Sequence, residues 1–106
     1  MIDKYVDSEI LSIIEKYLSV LEEKGFPIEH AYLFGSYANG TQNEWSDIDV
    51  AVISEYFQGN RFLDKEKIRG LNFAIDTRIS VLPLNKESLD SFFYQHEIIK
   101  KGIRII

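Results

Sequence analysis

The sequence predicts an α+β fold: a small mixed β-sheet with helices packed on it. Three observations carry that expectation. An amphipathic helical pattern opens the chain, strand-like apolar runs follow at 30–34, 48–53 and 73–82, and a second helical stretch precedes a short apolar terminus. With 106 residues, 45% of them apolar, the chain has the size and the means for one packed core, so 1–106 is expected to form a single domain.

The first element is the clearest. Ile10, Ile13, Ile14, Tyr17, Leu18 and Leu21 recur at helical spacing and form one continuous face. Asp3, Asp7 and Glu9 crowd its start, where the helix dipole favours acids, and Lys24-Gly25 closes it, with Phe26-Pro27 beyond. Residues 30–34 then form a strand that ends in the turn Gly35-Ser36. Residues 48–53 form a second strand, opened by Asp47-Ile48-Asp49. Strand side chains alternate, so both acids share one face while Ile48, Val50 and Val52 share the other. In the run 73–82, Phe73, Ile75, Thr77, Ile79 and Val81 alternate with Ala74, Asp76, Arg78 and Ser80, and Pro83 is expected to stop the strand. Asn85 is placed to cap a helix whose apolar stripe is Leu89, Phe92 and Phe93, with His96 at i+7. Gly102 ends that helix, and residues 103–106 make a short strand. The stretch 55–71 fits no helical face well and is expected to be a weak helix flanked by mobile loop.

Composition narrows the function classes. The 17 acids exceed the 12 bases, for a net charge of -5, so stable non-specific binding to nucleic acid is not expected. There is no cysteine, which removes disulfides and thiolate metal sites. No run approaches membrane-spanning length and no signal-peptide pattern opens the chain, so the expected location is the cytoplasm. The glycosylation sequon Asn39-Gly40-Thr41 carries no weight without secretion.

The acids carry the chemistry. A charge inside a strand-like segment is costly without a partner, and Asp47, Asp49 and Asp76 all stand in such segments. Carboxylates clustered on neighbouring strands call for cations. Magnesium is usually held by one or two carboxylates plus substrate phosphates, and two ions roughly 3.5–4 Å apart can clamp an in-line displacement. Asp47 and Asp49 are placed to bridge such a pair, and Asp76 to complete one ion's shell and orient or deprotonate an attacking hydroxyl. Gly35 lets backbone approach a ligand closely. If residues 36–39 begin a short helix, its free N–H groups face phosphates, and Ser36 adds a hydroxyl. Arg78 is placed to neutralise phosphate or to pair with an acid.

Gly35-Ser36-Tyr37-Ala38-Asn39-Gly40 followed by Ser46-Asp47-Ile48-Asp49-Val50-Ala51-Val52 resembles the signature of minimal nucleotidyltransferases of the polymerase-beta superfamily, MntA-like antitoxins among them. Asp76 stands where the third metal carboxylate of that superfamily is expected. The resemblance runs from about residue 30 to the end. It implies a polymerase-beta-like nucleotidyltransferase fold, with Gly35 and Ser36 holding the triphosphate, Asp47 and Asp49 ligating two Mg2+ ions, and Asp76 ligating the catalytic one. ATP is the implied substrate. Many members carry arginine after the glycine-serine pair; here Tyr37 stands there and one phosphate-facing cation is missing. Members that act on other acceptors carry further domains, so the acceptor here is expected on a separate chain or in an oligomer. Small members are frequently antitoxins of HEPN-type toxins, and some are thought to attach AMP to the toxin.

Simpler roles stand beside these. The Asp-x-Asp pair also suits a solvated strand-opening turn or the metal site of a sugar-nucleotide glycosyltransferase, which needs a longer chain. Asn39-Gly40 also suits a hairpin turn. Asp76 and Arg78 also suit a salt bridge at the sheet surface. Trp45 suits loop packing or a partner contact equally. His96 is expected packed at the edge of the last helix and His30 facing solvent. Phe92, Phe93 and Tyr94 are expected mostly in the core, with Tyr94 the one most open to solvent, and Lys65, Lys67 and Arg69 as a solvated face, with contact to an acidic partner or nucleotide as the lesser alternative.

Overall fold

The computed structural model describes residues 6–106, the side chain of Leu89 excepted. Asp3, read above as part of the acidic helix start, lies outside the described residues. Helix α1 spans Ser8–Glu23, and the Asp7 carboxylate caps it by accepting from the Glu9 N–H at 2.8 Å. Gly25, at φ 93°, takes the left-handed conformation that closes it. The strands β1 (His30–Phe34) and β2 (Ile48–Ile53) fall where the apolar runs place them. Between them, α2 (Ser36–Asn39) is a single turn ended by Gly40 in the left-handed region, so Asn39-Gly40 is a helix end and not a hairpin turn.

The sheet is mixed, in the order β3-β2-β1-β4, with β3 spanning Ile79–Leu84 and β4 Ile103–Arg104. β1 runs antiparallel to β2 and β4, while β2 and β3 are parallel. A parallel pair needs a long crossover, and residues 54–78 supply it. Ile48, Val50 and Val52 of β2 pack with Ile10, Ile14, Tyr17, Leu18 and Leu21 of α1. The opposite face gathers Tyr32, Ala51, Ile53 and Leu82 under Tyr94 and Ile98. Each fully buried Ile or Leu contributes roughly 1.5–3 kcal/mol. Among the described residues no helix is long and apolar enough to cross a membrane.

Three expectations fail in instructive ways. The third strand begins at Ile79, not at residue 73, and runs through Pro83 to Leu84. Residues 71–75 are turns, with the Phe73 N–H donating to Gly70 O and the Ile75 N–H to Asn72 O. The alternation across 73–78 is accidental. β3 is an edge strand, so Pro83 sits there without breaking a ladder.

The crossover holds a real helix, α3 (Arg61–Lys67), capped by Asn60. It lacks an apolar stripe because its anchor is a carboxylate. Asp64 is fully buried and accepts from the N–H groups of Gln58 (2.8 Å) and Gly59 (3.0 Å), with Lys67 Nζ 3.4 Å away.

The last helix is split. Asn85 caps a 3-10 turn at Lys86–Asp90, the chain extends at Ser91, and a π-wound helix runs Tyr94–Lys100. Ser91 Oγ accepts from the Tyr94 N–H at 3.1 Å and starts the second piece. The break rotates the stripe. Tyr94 is buried against Tyr32, while Phe92 and Phe93 are 77% and 46% exposed, the reverse of the expected order. His96 is half-buried and stacks on Phe92 at 4.7 Å. His30 is also half-buried, with Nδ1 3.4 Å from Ile106 O. Trp45, 84% exposed, does no loop packing.

Candidate active site

At the end of β1 the chain turns through Gly35 at φ 73°, ψ −151°, a region essentially confined to glycine. A second constraint acts on the same residue. A Cβ placed on Gly35 would collide with Asp49 Oδ2 and lie 3.2 Å from its Cγ. The glycine therefore admits the Asp49 carboxylate to the mouth of the turn, where the half-buried Ser36 opens α2.

Asp49 stands on β2 between Phe34 of β1 and Ser80 of β3. It is half-buried, and among the described residues its carboxylate has no hydrogen bond or ion pair. Burial, and after it the charge of Asp47, pushes its pKa above the usual carboxylate range. Asp47, exposed just before β2, belongs to the same face by strand alternation. The two acids thus form a negative pair that, among the described residues, no cation neutralises.

Asp76 has a different setting. It lies in the turn before β3, and both its oxygens engage Arg78: Oδ1 accepts from the Arg78 N–H (2.8 Å) and Nε (3.0 Å), Oδ2 from Nη2 (2.8 Å). The Arg78 side-chain hydrogen bonds hold the Asp76 pKa below the usual range, against a smaller opposing effect of burial. The remaining guanidinium nitrogen, Nη1, donates to Tyr37 Oη at 3.3 Å. A guanidinium therefore reaches α2 at position 37, supplied by the approach to β3. Nothing in the spacing of Tyr37 and Arg78 announces that contact.

Asp47, Asp49 and Gly35 are brought together, and Arg78 is tied to Asp76 and Tyr37. The β3 residue paired with Asp49 is Ser80, a position the misplaced strand start concealed. Among the described residues no three His, Cys, Asp or Glu side chains gather into a metal-holding group. The donor chemistry still suits a hard dication at the Asp47–Asp49 pair: two same-face carboxylates with no ion pair among the described residues offer the oxygen donors that magnesium takes.

The chain belongs to the family described as polymerase beta, nucleotidyltransferase, whose profile matches residues 15–106, and within it to the minimal nucleotidyltransferases. A relative from Methanocaldococcus jannaschii, named as a candidate protein adenylyltransferase, is 38% identical over 93 residues, covering 78% of this chain and 90% of its own. A crystal structure of a candidate nucleotidyltransferase from Sulfolobus solfataricus shares the fold, with a TM-score of 0.63 at 19% identity over 91% of this chain and 78% of that one. A toxin-antitoxin crystallised with AMP-PNP matches with a TM-score of 0.61 and 28% identity, over 87% of this chain and 71% of that one.

Proposed function

We propose that this chain is a magnesium-dependent adenylyltransferase that moves AMP from ATP onto a hydroxyl of a partner protein, as the antitoxin of a HEPN-type toxin. The observation that carries the reading is Asp49, a half-buried carboxylate admitted by Gly35 and left without a hydrogen bond or ion pair among the described residues. Such a charge is costly to keep unless something from outside neutralises it. The name of the archaeal relative and the AMP-PNP in the toxin-antitoxin neighbour support adenylyl transfer and a toxin acceptor.

In the transfer, the acceptor hydroxyl oxygen bonds to the α-phosphorus of ATP. The bond from that phosphorus to the oxygen bridging to the β-phosphate breaks, pyrophosphate leaves with the electron pair, and the hydroxyl proton passes to water. Gly35 and Ser36 receive the triphosphate, and Arg78 stands beside residue 37 as a phosphate-facing cation. Asp47 and Asp49 would hold magnesium, which when bound would supply charge neutralisation on the phosphates. Asp76, with both oxygens engaged by Arg78, would have to leave that guanidinium before it could hold a second ion. Held low in pKa, it is a poor proton acceptor.

The second reading, an antitoxin that silences its toxin by contact alone, is favoured by two observations: the Asp76–Arg78 pair and Ser80 beside Asp49. ATP labelled at the α-phosphate, magnesium and a HEPN-type toxin that this chain silences separate the two. Label appearing on the toxin, and lost in Asp49→Asn, supports transfer. A toxin silenced without label, by wild type and Asp49→Asn alike, establishes contact alone.

A further inference from the structure

Two adjoining hollows form a trough beside Asp49 on its own face of the sheet. Its first part, about 470 Å³, has Phe34 and Ser80 among its walls, the two residues that flank Asp49 on β1 and β3, together with Arg61, Lys65, Leu82 and Phe93. A second part of about 280 Å³ shares Arg61 and Phe93 and continues past Pro83 and Leu84. From Ser80 to Leu84 the trough follows β3 for roughly 13 Å at the rise of a strand. By the register of β1 and β2, it runs away from Gly35, which lies beyond the opposite end of Asp49's row.

The charges on the wall of the trough are unusual for this chain. Of the charged residues on α3, Asp64 has Lys67 within 3.4 Å, and Glu66 has Arg69 just beyond the helix at 3.6 Å. Arg61 and Lys65, one turn apart, have no ion pair among the described residues. On a chain of net charge -5, these two cations face a trough whose inner end carries the edge-to-face pair Phe34–Phe93, 6.4 Å between centroids. An occupant of matching chemistry is elongated, acidic along one side and apolar along the other.

We propose that this trough docks an acidic peptide segment of the acceptor protein, with Arg61 and Lys65 pairing its carboxylates and its acceptor hydroxyl lying over Asp49. The proposal rests on the adenylyltransferase reading for the role of that hydroxyl, and on the trough alone for binding. The nucleotide is the other candidate occupant. It is disfavoured because its phosphates are assigned to the Gly35 end, whereas the trough extends the other way along β3.

The test is fluorescence anisotropy with two labelled octapeptides, one alternating Glu with Ser and one alternating Lys with Ser, added to the full chain. The acidic peptide is expected to bind about tenfold or more tightly than the basic one, and the double variant Arg61→Glu/Lys65→Glu to erase that preference. ATP affinity in magnesium is expected to be unchanged in the double variant. Equal binding of both peptides, binding of neither, or a double variant that keeps its preference overturns the proposal. A double variant that loses ATP affinity assigns the trough to the nucleotide and also overturns it. Since no transfer is needed for this readout, acidic-peptide binding together with a toxin silenced without label refutes the enzymatic reading and leaves the trough standing.

Discussion

Two aspartates read from the sequence as partners in one task live in opposite settings. Asp49, at the start of β2, is half-buried, unpaired, pressed against a glycine and raised in pKa. Asp76, in the turn before β3, is bonded through both oxygens to Arg78 and lowered in pKa. The first costs the fold something and is left ready for an external cation. The second closes a turn and ties β3 through Arg78 to Tyr37 of α2. A carboxylate inside a strand-like segment is thus a candidate binding seat only where the fold leaves it unpaired.

The largest effect that can break this comparison is on ligand binding. Asp49→Asn is expected to weaken magnesium-dependent ATP binding about tenfold or more. Its stability should stay within about 0.5 kcal/mol of wild type or rise, because a half-buried unpaired charge is removed. Calorimetric titration and urea unfolding read the two quantities. Next is Gly35→Ala. The backbone strain and the collision with Asp49 together are expected to cost about 2–3 kcal/mol in unfolding free energy, with ATP binding lost at the same time. Full stability in that variant would show that the turn does not depend on the glycine.

Asp76→Asn should give the opposite pattern to Asp49→Asn. Losing the ion pair is expected to lower stability by about 1 kcal/mol, while ATP binding in magnesium is retained. Loss of AMP transfer alone in this variant would be the mark of a second-ion ligand.

The smallest effect is in the pH dependence of stability, where the signs differ. Asp76, lowered in the fold, contributes stability above the ordinary carboxylate pKa and loses it as pH falls through its own lower value. Asp49, raised in the fold, takes stability away as pH rises from the ordinary value through its own higher one. Urea midpoints between about pH 3 and 7 should therefore flatten at the acid end in Asp76→Asn and above it in Asp49→Asn.

The sheet's centre and the core were legible because β2 and α1 carry clean periodic patterns. So was the closeness of Gly35 and Asp49 in the candidate site, since a strand-ending glycine and a strand-opening acid pair each keep their meaning locally. The setting of Asp76 was not. The alternation from Phe73 to Arg78 imitates a strand, but the Asp76 carboxylate captures the backbone and side chain of Arg78 and holds a turn. With the strand start displaced, Ser80 rather than an acid pairs with Asp49. α3 was legible only as a weak helix somewhere in 55–71 for a related reason: its anchor is a buried carboxylate accepting backbone N–H groups, which leaves no hydrophobic period to fix its bounds. The exposure of Phe92 and the burial of Tyr94 follow from the single extended residue Ser91, whose role as a cap looks from the sequence like any serine in a polar stretch.

The most direct test is calorimetric titration of ATP into the wild-type chain and into Asp49→Asn, with magnesium and after its removal by chelation. The account predicts binding by wild type that needs magnesium and is lost in the variant, which remains folded. ATP binding that is indifferent both to magnesium and to the Asp49 carboxylate would contradict it.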